Sequence, residues 1–295
     1  MDVPESFYAL VEETCRELYI KSLKEIPPDV VEAIRKAAAR ETTEVARRIF
    51  SHYIKSIELG QTEEMIVCQD TGIPIYWVDI GGNLRLDGAR LTEAITRGTE
   101  RATREHPLRS SIVSPLKREN RQTSTGERIP IIHYNFTPNS DEMDILFMPK
   151  GSGSENMSVL KMLVPADGVN GIKKFVIENV VGAGAKPCPP TIVGIGIGGS
   201  SDLCMALAKE ATARPLGTKN PDPQLAALED ELFEAINETG IGPQGLGGKT
   251  TALAVHIEAA WTHITCNPVA VNMQCWRAER RRATLTPDGK VRHGF

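Results

Sequence analysis

Apolar residues recur at three- and four-residue steps between Ser6 and Leu59: Leu10, Val11, Cys15, Leu18 and Leu23, then Val30, Val31, Ile34, Ala37 and Ala38, then Val45, Ile49, Tyr53 and Ile57. This spacing repeats on one face of a helix and predicts an amphipathic helical layer over about 1–60. Pro27-Pro28-Asp29 breaks the layer and restarts it, because proline at a helix start removes a donor that has no intrahelical partner. Gly60 is expected to close the last helix.

Beyond the layer the period shortens. Met65-Ile66-Val67 reads as a short buried strand ending at Cys68, and Ile73 to Ile80 as a second strand after the Thr71-Gly72 turn. Leu91 to Glu105 returns to helical spacing and runs into His106-Pro107-Leu108-Arg109-Ser110-Ser111, a loop that presents Arg109. Ile129 to Tyr134 and Asp144 to Met148 read as strands joined through the turn composition Pro138-Asn139-Ser140-Asp141, which predicts a hairpin. A helix over Gly171 to Gly182, a strand over Thr191 to Ile197 and helices over Ser201 to Ala213 and Pro223 to Glu238 follow. The glycine-rich stretch Gly240 to Gly248 then leads to His256 to Cys275, apolar enough to bury, and a basic, polar tail begins at Arg277. With no internal repeat and no break in composition, the expected fold is a single α/β domain over 1–295. It is helix-rich around a small mixed sheet, with a core over about 61–282 behind the helical layer.

Composition narrows the function classes. The 295 residues, 41% of them hydrophobic, suffice for a packed core. A formal charge of −4 offers no general footprint for nucleic acid or an anionic membrane, so neither is expected as a partner. The opening Met1-Asp2-Val3-Pro4-Glu5-Ser6 lacks signal-peptide character, and no apolar run reaches the roughly 20 residues of a spanning helix, so a cytoplasmic location is expected. In that compartment the six cysteines are candidates for metal binding, redox chemistry or packing before disulfides. No two form a C-x-x-C pair, and His256 and His263 are not at a zinc-ligand interval.

Two glycine-rich motifs suggest nucleotides and then fail on detail. Gly194-Ile195-Gly196-Ile197-Gly198-Gly199 fits G-x-G-x-x-G, but its first two glycines fall inside the strand instead of the turn after it, which favours tight strand–helix packing. Gly242 to Thr251 resembles a phosphate loop, yet the position needing the first glycine is Pro243, which has no N–H and cannot reach left-handed geometry. A glycine-rich turn of this kind remains suited to holding a carboxylate.

The cysteines separate by context. Cys15 and Cys204 lie on apolar helix faces and read as packing residues. Cys68, in Val67-Cys68-Gln69-Asp70-Thr71-Gly72, and Cys188, among Pro187, Pro189 and Pro190, lie where packing explains little. Cys266 and Cys275 compete for a third place. The basic run after Cys275 favours its thiolate and tilts the choice that way. Three thiolates, not four, would leave one iron of a [4Fe–4S] cluster open as a Lewis acid.

In order along the chain, Cys68-Gln69-Asp70-Thr71-Gly72, Leu108-Arg109-Ser110-Ser111, Lys150 to Asn156, Cys188-Pro189-Pro190, Gly196 to Ser200, Gly245 to Thr251 and His263 through Cys275 resemble the N-terminal part of iron–sulfur class I fumarases. The likeness covers about Pro28 to Arg281 and is greatest to the separate alpha subunit of two-subunit fumarases and L-tartrate dehydratases. It implies that Cys68, Cys188 and Cys275 hold a [4Fe–4S] cluster, since the family's third cysteine follows the matched histidine at the interval separating His263 from Cys275. It also implies that Gln69, Asp70, Arg109 and Gly153 line the pocket for a small dicarboxylate, with Asp70 and His263 as catalytic candidates. Arg109 suits bidentate binding of a carboxylate, and Asp70 a proton transfer. The resemblance further implies a separate beta subunit, in a heterotetramer or larger, that completes the site. Reversible hydration of fumarate to L-malate is the expected reaction, with L-tartrate or mesaconate/citramalate chemistry, or a non-catalytic scaffold subunit, as the alternatives.

Overall fold

A computed structural model of the chain describes residues 2–63, 65–106 and 108–295. Met1, which begins the stretch read for a signal peptide, Glu64, and Pro107 of the Arg109 loop lie outside the described residues. In chain order the elements are α1 (Glu5–Lys24), α2 (Pro28–Arg40), α3 (Glu44–Thr62), β1 (Ile73–Gly81), α4 (Gly88–Glu105), β2 (Ile131–Thr137), β3 (Met143–Lys150), α5 (Ser152–Glu155), β4 (Val159–Leu163), α6 (Gly168–Ala183), β5 (Thr191–Gly198), α7 (Ser201–Ala211), α8 (Pro223–Glu238), β6 (Ala252–Ala260), β7 (Asn267–Gln274), β8 (Arg281–Leu285) and β9 (Val291–Gly294). The class is α/β, and the strands divide between two mixed sheets. The chain forms two compact units, one made of residues up to Pro27, Leu59–Gly151 and Glu279–Phe295, the other of Pro28–Glu58 and Ser152–Ala278.

In the first unit the sheet order is β2-β1-β3-β8-β9. The hairpin expected from β2 and β3 does not form. β1 lies between them, with Val78 opposite Tyr134 of β2 in a parallel ladder and opposite Ile145 of β3 in an antiparallel one. The reason is burial: Ile75, Tyr76, Val78 and Ile80 of β1 are almost completely covered, and a strand this apolar takes an inner place. Val11, Cys15, Leu18 and Leu23 of α1 pack with Leu91, Ala94 and Ile95 of α4 and with Tyr76 and Phe147 of the sheet. Asp87 begins α4 by accepting the Ala89 N–H at 2.8 Å.

Two further expectations are corrected in this unit, and the tail is placed. Met65-Ile66-Val67 is not a strand, because the Val67 N–H is taken by the Leu23 carbonyl at the end of α1, 2.9 Å away. Gly60 does not close α3, which runs on to Thr62; a side chain there would press on Val67 Cγ2 at 2.8 Å. The basic tail is partly buried: Arg280 and Arg281 are covered whereas Arg282 is exposed, β8 pairs with β3 through Phe147 and Arg281, and Arg281 pairs with Glu25.

In the second unit the sheet order is β4-β7-β5-β6, with β5 parallel to β6 and antiparallel to β7. Val193 and Ile195 of β5, Val255 and Ile257 of β6, and Val269 and Val271 of β7 build its core with Ile172 and Val176 of α6 and Leu232 and Ile236 of α8. The G-x-G-x-x-G glycines serve packing. A Cβ on Gly194 would collide with the Ala208 carbonyl, and one on Gly196 with the Cys204 carbonyl, so the strand lies directly against α7. Arg277 of this unit is buried as well.

Candidate active site

In the first unit the Cys68–Gly72 loop is set by Thr71, which is fully buried. Its carbonyl accepts the Tyr19 hydroxyl at 3.0 Å, and its own hydroxyl donates to the Arg109 carbonyl. Tyr19, from α1, is wedged against Phe147 with ring centroids 5.0 Å apart, so a core aromatic fixes the loop from beneath. The residue after Arg109 is held twice. The Ser110 carbonyl accepts from Asn120 Nδ2 at 2.9 Å, and Ser110 Oγ accepts from the Ser124 N–H at 3.0 Å. Asp70 Oδ1 accepts the Gly72 N–H at 3.1 Å, and Oδ2 faces Gly151, where an added Cβ would stand 3.3 Å away. Gln69 and Arg109 are exposed, Cys68 and Asp70 half-buried. The result is a pair of loops, joined by the Thr71–Arg109 hydrogen bond, that carry an amide, a carboxylate and a guanidinium.

In the second unit Cys188 and Cys275 are both half-buried on adjoining loops. The Trp276 N–H donates to the Cys188 carbonyl at 3.2 Å, which ties the two loops beside their sulfurs. Cys188 holds φ at 56°, an uncommon conformation for a residue with a side chain, and its N–H donates to the Ala185 carbonyl at 3.1 Å. Gly153, at the start of this unit's longer segment, abuts the same loop: a Cβ there would come within 2.8 Å of the Lys186 carbonyl. Sequence reasoning gave Tyr53 no role beyond its apolar face. Its hydroxyl donates to the Pro189 carbonyl at 3.1 Å, and its ring stacks on Trp276 with centroids 4.0 Å apart. Burial drives this phenol well above its ordinary pKa, and the sulfurs of Cys188 and Cys275 are near enough for their charge to add to the rise.

His263 and Cys266 stand elsewhere. Both lie in the turn between β6 and β7, where the Cys266 N–H donates to the His263 carbonyl at 2.8 Å. Cys275 follows the other end of β7, whose eight residues measure roughly 25 Å when extended. Within this unit, therefore, Cys188 has Cys275 as its neighbour, and His263 and Cys266 are a strand length away. His263 is exposed beside Trp261 and Ile264, whose side chains are almost wholly in solvent. Its Nδ1 lies 2.9 Å from Thr265 Oγ1.

Cys15 and Cys204 are fully buried in helix packing, and burial pushes the Cys204 thiol up to about 11. The glycine-rich loop after α8 already holds an anion, the protein's own: the Glu41 carboxylate accepts the N–H groups of Lys249 and Thr250 at 3.0 and 2.9 Å. Gly248, at φ 142°, leaves the room, since a Cβ would lie 2.9 Å from Glu41 Oε2.

Among the described residues no three His, Cys, Asp or Glu side chains are gathered tightly enough to hold a single metal ion. An iron–sulfur cluster asks for something different, soft thiolate ligands distributed around several irons. Cys188 and Cys275 supply two accessible thiols on loops tied together, and Cys68 has the same partial exposure on its own loop. The donor set fits such a cluster.

Among the described residues no helix is long and apolar enough to cross a membrane. The chain is 43% identical over 277 residues to a Methanocaldococcus jannaschii protein bearing the provisional name L(+)-tartrate dehydratase subunit alpha, covering 93% of this chain and 97% of that one. It is 34% identical over 264 residues to the L(+)-tartrate dehydratase subunit alpha of Escherichia coli K12, covering 88% and 85% respectively. Residues 12–285 match the family described as Fumarate hydratase (Fumerase). The chain belongs to that family, in the branch that includes the alpha subunits of class I fumarases and tartrate dehydratases.

Proposed function

We propose that this chain is the alpha subunit of a [4Fe–4S]-dependent hydro-lyase acting on a four-carbon dicarboxylate, with reversible hydration of fumarate to L-malate as its reaction. Family membership over 12–285 makes it a hydro-lyase subunit, and the observation that carries the finer reading is the pairing of Cys188 with Cys275 on tied loops. Cys68, Cys188 and Cys275 would hold the cluster. When bound, it supplies a Lewis-acidic iron with an open position for the substrate's hydroxyl and carboxylate.

The chain's own residues bind and move protons. The Arg109 guanidinium grips a substrate carboxylate through paired N–H donors, which also favours the carboxylate charge that builds up when the adjacent C–H proton leaves. Gln69 donates its amide to a second substrate oxygen. Asp70, fixed at Oδ1 by the Gly72 N–H, offers Oδ2 as proton donor to the departing hydroxide or acceptor from the attacking water. Gly153 keeps side-chain bulk away from the Cys188 loop. His263 stands on an exposed turn a strand length from Cys275, so a catalytic role for it would need a second chain seated over that turn. The relatives are named as alpha subunits, which supports a separate beta subunit bringing the remaining base and cations.

A second reading, dehydration of L(+)-tartrate, is favoured by the names of those same relatives. The complex with its beta subunit, purified without oxygen, is assayed on fumarate, L-malate and L(+)-tartrate. Turnover of fumarate exceeding that of tartrate is the expected result. Preference for tartrate selects the second reading, and full activity without iron overturns both.

A further inference from the structure

We propose that Tyr53 is a positioning residue that holds the Cys188 and Cys275 loops at the spacing one shared inorganic centre requires. The proposal rests on the reading of those cysteines as cluster ligands. Tyr53 sits on α3 and is 6% exposed. Its hydroxyl is one corner of a closed set of hydrogen bonds. It donates to the Pro189 carbonyl at 3.1 Å and accepts from Gln244 Nε2 at 2.5 Å, and the Gln244 N–H returns to the Pro189 carbonyl at 2.8 Å. Through these bonds the phenol fixes the carbonyl of the residue immediately after Cys188. Its ring face fixes the residue immediately after Cys275, stacking on Trp276 at 14° between planes. One rigid side chain therefore touches both cysteine loops, one by hydrogen bonds and the other by stacking. Phe50, a turn earlier on α3, meets the ring edge-on at 5.8 Å and limits its tilt.

Two substitutions act on the hydrogen-bonded contact and spare the stack. Tyr53→Phe keeps the stack and removes the tie to Pro189, whereas Gln244→Ala removes the donor that orients the hydroxyl and leaves the ring in place.

The test compares the full chain, metal-free, with each variant by timed alkylation, reading every cysteine by peptide mass spectrometry. Anaerobic reconstitution with iron and sulfide follows, with iron release to a chelator and visible circular dichroism as readouts. In Tyr53→Phe, alkylation of Cys188 should rise about fivefold, the scale of one lost hydrogen bond, with a smaller rise at Cys275, whose loop keeps the stack, while Cys15 and Cys204 stay protected. Iron release should quicken by a similar factor, with an altered visible spectrum. Gln244→Ala should give the same selective pattern. Wild-type rates at Cys188 and Cys275 in both variants would overturn the proposal. So would a rise shared equally by Cys15 and Cys204, which reports general loosening. If the wild-type chain takes up no iron, the cluster reading falls, and the alkylation pattern still decides whether Tyr53 orders these loops.

Discussion

The Glu41 carboxylate closes on the Thr250 N–H at 2.9 Å, and with its second oxygen on the Lys249 N–H, so a glycine-rich loop shaped for an anion is filled by a side chain of the same unit. Glu41 is 2% exposed, and removing it strands two inward-facing donors. Glu41→Ala is expected to lower stability by about 2–3 kcal/mol, the range for hydrogen bonds to a charged group. Glu41→Gln, which keeps one acceptor, should lose less than half as much. Urea unfolding measures both, and an unchanged midpoint in Glu41→Ala would show that the loop does not depend on its internal anion.

Gly194 and Gly196 decide between a dinucleotide fingerprint and plain packing. Adding one methyl at either site drives it into the α7 backbone, so each Gly→Ala change should cost at least about 2 kcal/mol by overpacking. The wild-type chain should give no response in an NAD titration. Saturable NAD binding, abolished by Gly196→Ala in a chain that still folds, would restore the nucleotide reading.

Five of the cysteines should sort by iron content. Cys68→Ser, Cys188→Ser and Cys275→Ser are expected to yield preparations that retain little iron, whereas Cys266→Ser and Cys204→Ala keep it. Cys204, its thiol raised to about 11, should resist iodoacetamide in the native chain at pH 8. Iron loss in Cys266→Ser with retention in Cys275→Ser would exchange their assignments.

Thr71 joins the Cys68 loop to the backbone of Arg109. Thr71→Val preserves shape and deletes that hydrogen bond, so Arg109 should grip the substrate less firmly. The expected effect is about a tenfold fall in kcat/KM, borne mainly by KM because a carboxylate clamp acts before and during the reaction. Steady-state rates with fumarate and L(+)-tartrate give the split, and a loss confined to kcat would argue against a role in binding.

Although the Asp87 and Asp222 caps emerge only from the structure, most helices were legible because their apolar faces repeat locally and Pro28 marks the start of α2. Strand partners were not. The turn residues between β2 and β3 argued for a hairpin, and only the three-dimensional register reveals β1 between them. The buried arginines were also hidden, since a run such as Arg280-Arg281-Arg282 looks solvated until Glu25 and the Phe295 ring are seen beside Arg281. Among the candidate ligands, Cys275 was settled over Cys266 only by the family resemblance, whereas Cys68 and Cys188 stood out by their unusual neighbours. Tyr53 and Glu41 did not, because an aromatic on a helix face and a glutamate between helices look ordinary without the loops they hold.

The sheet of the first unit also imposes an order of events on synthesis. β3 emerges from the ribosome with one flank already provided by β1, but its other neighbour, β8, is translated only after the whole of Ser152–Ala278. Until those final residues arrive, a row of backbone donors and acceptors on β3 stays open, ready to recruit any passing strand. A nascent chain stalled before Arg281 is consequently expected to be a strong client for chaperones, and recombinant fragments that stop short of it should be insoluble.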